Sequence, residues 1–437
     1  MNADVVGGGL AGCEAAWALA ESGVKVTLYE MRPKVDTPAH QTDGLAELVC
    51  TNSFKSVETS NAHGLLKAEL RLLGSLLMRV AEETRVPAGA ALAVDRALFS
   101  EGVTKAVRSH PNIEVVCEEI TTLPSPGIVA TGPLTSDSLA AVIQERLGAS
   151  HLAFFDSIAP IVSADSLDET ALYRLSRYGK GGGEDYLNAP FDRDRYYAFI
   201  DALVAADQYE AHDFDKIAYF EGCLPVEEMA RRGPDTLRFG PMKPVGLPDP
   251  RTGKIPYAVM QLRSENRAGQ MWNMVGFQTR LRTGEQRKVF RMIPGLENAE
   301  MLRWGSIHRN TYLNAPAVLS PHLSARDDDR LLFAGQLVGV EGYTESLACG
   351  RLCGINLARM LGGAEPVLPP ENTMLGSLMR YVHGADPKKF QPMNANFGLL
   401  PPLDDKVRDK RKRRETLAAR ALEAMAEFAA QLSGVQA

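Results

Sequence analysis

The chain has 437 residues, 45% hydrophobic and 23% charged, which fits an ordinary soluble globular protein of two or three domains at ~150 residues each. With 48 Lys and Arg against 54 Asp and Glu, its net charge of −6 excludes a globally basic nucleic-acid binder and leaves any such role to local patches. No stretch approaches the ~18 uninterrupted apolar residues of a membrane span, and the N-terminus reads as a strand rather than a signal peptide, so a cytoplasmic protein without membrane contact is expected.

In chain order, Ala3 to Glu30 reads as a strand, a glycine turn, a helix, a second strand and a terminal acid. That is a dinucleotide-binding unit, and its candidate cofactor residues are Gly7, Gly8, Gly9, Leu10, Ala11, Gly12 and Glu30. Gly7 permits the tight turn, Gly9 lets backbone N–H groups approach a pyrophosphate, Gly12 allows close helix packing, and Glu30 accepts from ribose hydroxyls. An irregular stretch, Met31 to Ser60, precedes one expected helix over Gly64 to Thr84, with Leu66, Leu70, Leu73, Leu77 and Val80 at helical spacing. A helix over Arg96 to Ser109 and strands over Ile113 to Cys117 and Gly127 to Ala130 follow, the last ending in a turn at Gly132.

From about Ala164 to Leu302 the texture changes to glycine clusters, aromatic runs and the Pro-rich stretch Pro241 to Pro256, which reads as an inserted domain. Leu331 to Ala334 then forms a buried strand leading through Gly335, Gln336 and Gly342 into a helix that starts near Tyr343. Two distant segments suited to one extended cofactor favour FAD over NAD. The expected fold class is α/β, a Rossmann-type FAD-binding domain with an inserted α+β domain: residues 1–164 and 303–437 form the FAD-binding part, with a basic C-terminal helical tail, and 165–302 form the insertion.

The cysteines are Cys13, Cys50, Cys117, Cys223, Cys349 and Cys353, with no C-x-x-C among them, so neither a metal site nor a disulfide framework is expected. Cys349 and Cys353 share a helix face and read as small-residue packing. Seven of the nine residues from Lys406 to Arg414 are basic, and Arg280, Arg282, Arg287, Lys288 and Arg291 form a second patch. Each reads equally as a solvated helix face or as a phosphate track.

Several longer strings carry a resemblance. Gly7 to Gly12, Asp43 to Ser56, Tyr219 to Met229, Arg238 to Leu247, Gly276 to Thr279, Met292 to Glu300, His308 to Tyr312 and Met393 to Pro401 resemble the folate- and FAD-dependent tRNA (uracil-5-)-methyltransferases over nearly the whole chain. The resemblance implies methylation of carbon 5 of the T-loop uridine of tRNA. In it methylenetetrahydrofolate is the carbon donor, reduced FAD the carrier and reductant, and NADH or NADPH the source of electrons. It also puts the two functional cysteines on Cys50 and Cys223, with Cys223 favoured as nucleophile and Cys50 as base, although the sequence leaves their exchange open. A thiolate suits addition to carbon 6 of uracil, and a second suits removal of the carbon-5 proton. Lys55 is the expected cationic neighbour of Cys50. Tyr343 and His308 are candidates for stacking on pterin or flavin, and Glu341 or Glu345 for the pterin amino edge. Competing readings are a related, larger flavoprotein that modifies the wobble uridine with a GTPase partner, an RNA-binding protein with structural FAD, and a plain flavin oxidoreductase. The sequence leaves the oligomeric state open.

Overall fold

The computed structural model describes residues 1–37, 39–148, 152–209, 224–405 and 407–434, with the side chains of 152–157, 307–311 and 433–434 outside that description. One six-stranded sheet runs in the order Ser324–Ala325, Asp328–Phe333, Gly127–Val129, Asn2–Val6, Lys25–Glu30, Ile113–Cys117. Its pairs are parallel except the first. Val5, Leu28, Ile128, Val129, Leu332 and Phe333 are buried, as expected of a parallel sheet covered on both faces.

The strand order reverses at Asn2–Val6, whose neighbours are the next strand in the chain on one side and Gly127–Val129 on the other. Such a switch point opens a crevice at the C-terminal strand ends. Two helices meet over it, Leu10–Glu21 and Tyr343–Leu361. A Cβ on Gly350 or Gly354 would overlap the carbonyl oxygen of Ala11 or approach that of Ala15, so only glycine lets the helix backbones approach this closely. Cys349 and Cys353 are buried in the same helix, and the Cys349 sulfur accepts from the Gly335 N–H at 3.3 Å.

Two expectations need correction. The helix foreseen over Gly64 to Thr84 is two helices, Ala62–Leu72 and Leu76–Glu83. Gly74 breaks it by adopting φ +72°, and Ser75 caps the second helix by accepting from the Met78 N–H at 3.1 Å. The stretch read as irregular contains a strand, Ser53–Ser56, which pairs antiparallel with Ala91–Val94.

A second, antiparallel sheet spans Ile161 to Arg303 in the order Tyr173–Arg174, Tyr186–Phe191, Ala258–Ser264, Met271–Met274, Ile161–Ser163, Met301–Arg303. It has its own core, in which Phe191, Tyr196, Phe199, Phe277 and Phe290 are fully buried. The chain passes between the two sheets along an antiparallel ribbon, Leu152–Ile158 beside Ser306–Tyr312, so departure and return lie side by side. The last helix, Lys410–Gly434, buries Leu417, Ala421, Met425 and Phe428 on the first core and leaves its basic first turn exposed. Among the described residues no helix is long and apolar enough to cross a membrane.

Candidate functional site

A cleft of about 1000 Å³ runs along the C-terminal edge of the parallel sheet. Gly7, Gly8, Gly9, Leu10, Ala11, Glu30, Gly132, Gln336 and Tyr343 line it, together with Thr37, His40 and Glu47 from the connecting segment. Gly7 holds φ +108°, and Gly12 lies beneath it, where a Cβ would overlap the Gly7 carbonyl oxygen. Gly9 caps the first helix without a side-chain hydrogen bond and has open space where a Cβ would stand. The first-turn N–H groups are thereby left for an anion at the positive end of the helix dipole, which fits the pyrophosphate of a dinucleotide.

Glu30 is already anchored. One carboxylate oxygen accepts from the Gly8 N–H at 3.0 Å, and the other from the Arg32 backbone N–H at 3.1 Å and its Nε at 2.9 Å. Burial opposes the charge, but the Arg32 hydrogen bonds and positive charge hold the carboxyl below its ordinary range. The acid is therefore ionised and fixed in place, as an acceptor for ribose hydroxyls should be.

At Tyr343 the cleft adjoins a second cavity of about 1280 Å³, and the two share Val49, Pro133, Leu134, Gln336 and Tyr343 as walls. Cys50 lines the second cavity with Lys55, Glu341 and Gly342, facing Arg263, Asn273, Gly276 and Gln278 from the inserted sheet. The Tyr343 hydroxyl oxygen accepts from the N–H groups of Cys50 at 2.9 Å and Thr51 at 3.2 Å, which fixes the cysteine's backbone to the cofactor-side helix.

Side chains lock the inserted sheet to this segment and to the helix Arg96–Ser109. Arg96 pairs with Glu265 at 2.6 Å and donates to the carbonyl oxygens of Leu48 and Cys50. Burial disfavours the Arg96 charge, but Glu265 more than offsets this and raises its pKa above the ordinary value. Arg263 donates to Asn52 at 2.9 Å and Thr51 at 2.7 Å, and Asn52 donates to the Ser264 carbonyl at 3.0 Å. Arg303 is held below its ordinary pKa by burial and by repulsion from Arg96. Both Arg96 and Arg303 interact electrostatically with the Cys50 thiol, so two positive charges stand near its sulfur.

Not every candidate residue lines a cavity. Gly335 adopts φ +77° beside Ala11 and supports the turn from behind, while Gly342 faces the second cavity. Glu341 lines that cavity and accepts from the Gln336 amide at 2.8 Å. Glu345 is instead sealed against His63 at 3.1 Å and the Ala395 N–H at 2.9 Å. Lys55 lines the same cavity as Cys50, where its charge attracts the Glu345 carboxylate and repels Lys67. Cys223 and Lys406 lie outside the described residues, as does the His308 side chain.

Of the second basic patch, Arg280 pairs with Glu228 at 2.6 Å, Lys288 pairs with Glu285 at 2.5 Å, and Arg287 covers the Trp304 ring at 5.5 Å. Sequence reasoning missed Arg96, Arg263, Arg303, Glu265 and Asn273. Arg263 and Glu265 share one strand end, but the others come from separate segments, and the fold alone brings them together.

A family model described as "GIDA: Glucose inhibited division protein A" matches residues 2–365. A protein named methylenetetrahydrofolate--tRNA-(uracil-5-)-methyltransferase TrmFO from Geobacter sulfurreducens is 57% identical over 420 residues, covering 96% of each chain. Proteins of the same name from Geotalea daltonii and Persephonella marina are 56% and 55% identical, covering 97% and 98% of each chain. Among solved structures, Aquifex aeolicus GidA in its form II crystal superposes with a TM-score of 0.72 at 17% identity, covering 99% of this chain and 73% of that one, a likeness of fold.

Proposed function

Because the chain belongs to the glucose inhibited division protein A family and to the methylenetetrahydrofolate--tRNA-(uracil-5-)-methyltransferases within it, we propose that it methylates carbon 5 of the T-loop uridine of tRNA. It is an enzyme, a folate-dependent tRNA uracil-5-methyltransferase of the FAD-binding type. The observation that carries the finer reading is the shared wall at Tyr343, which joins a dinucleotide cleft to a cavity lined by Cys50.

The glycine turn from Gly7 to Ala11 and the N-terminal end of the first helix would hold the pyrophosphate of FAD and Glu30 a ribose, with Gly132, Gln336 and Tyr343 left to border the flavin. When bound, FAD, reduced by NADH or NADPH, carries the one-carbon unit from methylenetetrahydrofolate and supplies the electrons that make it a methyl group. The chain's own residues activate the acceptor. Carbon 5 of uracil becomes nucleophilic once a thiolate, assigned to Cys223, bonds to carbon 6 and pushes the ring's electrons into an enolate. After carbon 5 has gained its new bond, Cys50 as thiolate takes the carbon-5 proton. The carbon–sulfur bond then breaks, restoring the ring and releasing Cys223. Arg96 and Arg303 set positive charge near Cys50, and Tyr343 fixes its backbone. Glu341, at the cavity wall, is the better placed acid for the pterin amino edge.

The test is transfer of labelled carbon from methylenetetrahydrofolate into tRNA lacking 5-methyluridine, with the labelled position mapped. Full activity in both Cys50→Ala and Cys223→Ala would refute the thiolate roles.

A further inference from the structure

The inserted sheet carries a strained, exposed aromatic residue that the chemistry above leaves unused. Tyr178 sits at φ 58°, ψ 26°, the left-handed region that a bulky side chain rarely occupies, and it is 64% exposed. Its surroundings enforce that conformation. The Tyr178 N–H donates to the Gly246 carbonyl at 3.0 Å, and Arg177 donates to the carbonyl oxygens of Val245 and Lys243 and, at 3.2 Å, to Gln261 Oε1. A Cβ on Gly246 would stand 2.6 Å from the Tyr178 ring, so the ring lies directly over that glycine. One side of the ring is seated on backbone while much of the rest faces solvent.

The same segment carries Phe239, 80% exposed, and the exposed Lys243. This surface borders the Cys50 cavity on two sides. Pro241 packs on Gly276, a cavity wall, and Gln261, which accepts from Arg177, also accepts the N–H of Val275, another wall. On the other side Lys180 pairs with Glu58 at 2.5 Å, just beyond the cavity residue Lys55.

We propose that Tyr178 is a stacking platform for an unpaired base of the tRNA next to the methylated uridine, with Phe239 beside it and Lys243 facing the backbone phosphate. Backbone strain held in place by a dedicated arginine is characteristic of functional positions, and an exposed ring beside an exposed lysine is how proteins hold single-stranded RNA. The proposal rests on tRNA being the substrate, and the experiment keeps the two apart.

Flavin-loaded wild type, Tyr178→Ala, Tyr178→Trp and Lys243→Gln are compared for tRNA affinity across a salt series, for bound flavin by visible absorbance, and for methyl transfer. Tyr178→Ala should weaken tRNA binding about tenfold. It should leave flavin content and the slope of log affinity against log salt unchanged, and Tyr178→Trp should restore binding. Lys243→Gln should reduce that slope by about one. Tyr178→Gly should melt above Tyr178→Ala, because only glycine is unstrained there, while binding tRNA as poorly. Wild-type affinity in a flavin-loaded Tyr178→Ala that still methylates tRNA would overturn the platform alone. Absence of methyl transfer by wild type would overturn the substrate reading instead.

Discussion

The glycine-lined cleft and the Cys50 cavity share a wall but are built in opposite ways. The cleft is made largely of backbone: a turn with no side chains to obstruct it, a helix end with unspent N–H groups, and one anchored acid, most of it within residues 7–30. The cavity is made largely of side chains from the Cys50 segment and the inserted sheet, held by an Arg96–Glu265 pair and an Arg263–Asn52 contact that tie that sheet down. The first depends on empty space and the second on alignment, so damage to each should be distinguishable.

The sharpest separation comes from Cys50→Ala. Methyl transfer should fall about 10²- to 10⁴-fold, as for removal of a general base, while the protein keeps its flavin colour and melting temperature. Loss of flavin in that variant would mean that cleft and cavity are not separate. The complement is Gly12→Ala, whose Cβ would overlap the Gly7 carbonyl oxygen. At a cost of ~1–3 kcal/mol in forced backbone shift, the expected outcome is protein isolated with little flavin, read by absorbance, and activity recovered in part by added FAD.

Glu265→Ala tests alignment. It leaves Arg96 largely buried without its carboxylate, and removal of one partner of such a pair costs about 3–5 kcal/mol. Denaturant unfolding should show that loss, and the remaining folded enzyme should bind flavin normally but methylate slowly. Unchanged stability would show that the pair does not tie the inserted sheet to the helix Arg96–Ser109.

The remaining effect expected is a pH slope. Lys67 is fully buried between the carbonyl oxygens of Phe54 at 2.5 Å and His63 at 2.9 Å, and burial lowers its pKa from 10.5 to about 7. Between those pH values the unfolded chain holds a proton that the folded chain does not. Stability therefore rises from pH 7 toward 10.5, by up to about 1.4 kcal/mol per unit, and is lost again as pH falls back through the window. Lys67→Met should abolish that slope, and an unaltered pH dependence of unfolding would contradict the assignment. Lys67 holds the strand that carries Ser53 and Lys55, so the slope reports on the cavity side rather than the cleft.

What the sequence made legible follows the same division. Gly7 to Glu30 is contiguous, so local rules assign a job to each residue, and the structure puts Gly7, Gly8, Gly9 and Glu30 on the cleft wall. A buried strand into a glycine turn is also a local signal, and of the residues it marks Gln336 lines the cleft while Gly335 lies behind the turn. The cavity had no such signal. Arg96 begins an ordinary helix and Arg263 lies on an ordinary strand, and only the pairing of segments distant in the chain gives them a shared purpose. Gly74 is a smaller lesson: five apolar residues at helical spacing outweighed one glycine in the reading, whereas in the fold that glycine turns the chain.

The claim at the centre is that cleft and cavity act as one site on a uridine. It is tested most directly by incubating flavin-loaded enzyme with carbon-labelled methylenetetrahydrofolate, a nicotinamide reductant and tRNA lacking 5-methyluridine, then digesting the RNA and locating the label. The account predicts label on carbon 5 of the T-loop uridine, dependent on flavin. Label at the wobble uridine, or none at all from enzyme that holds its flavin, would contradict it.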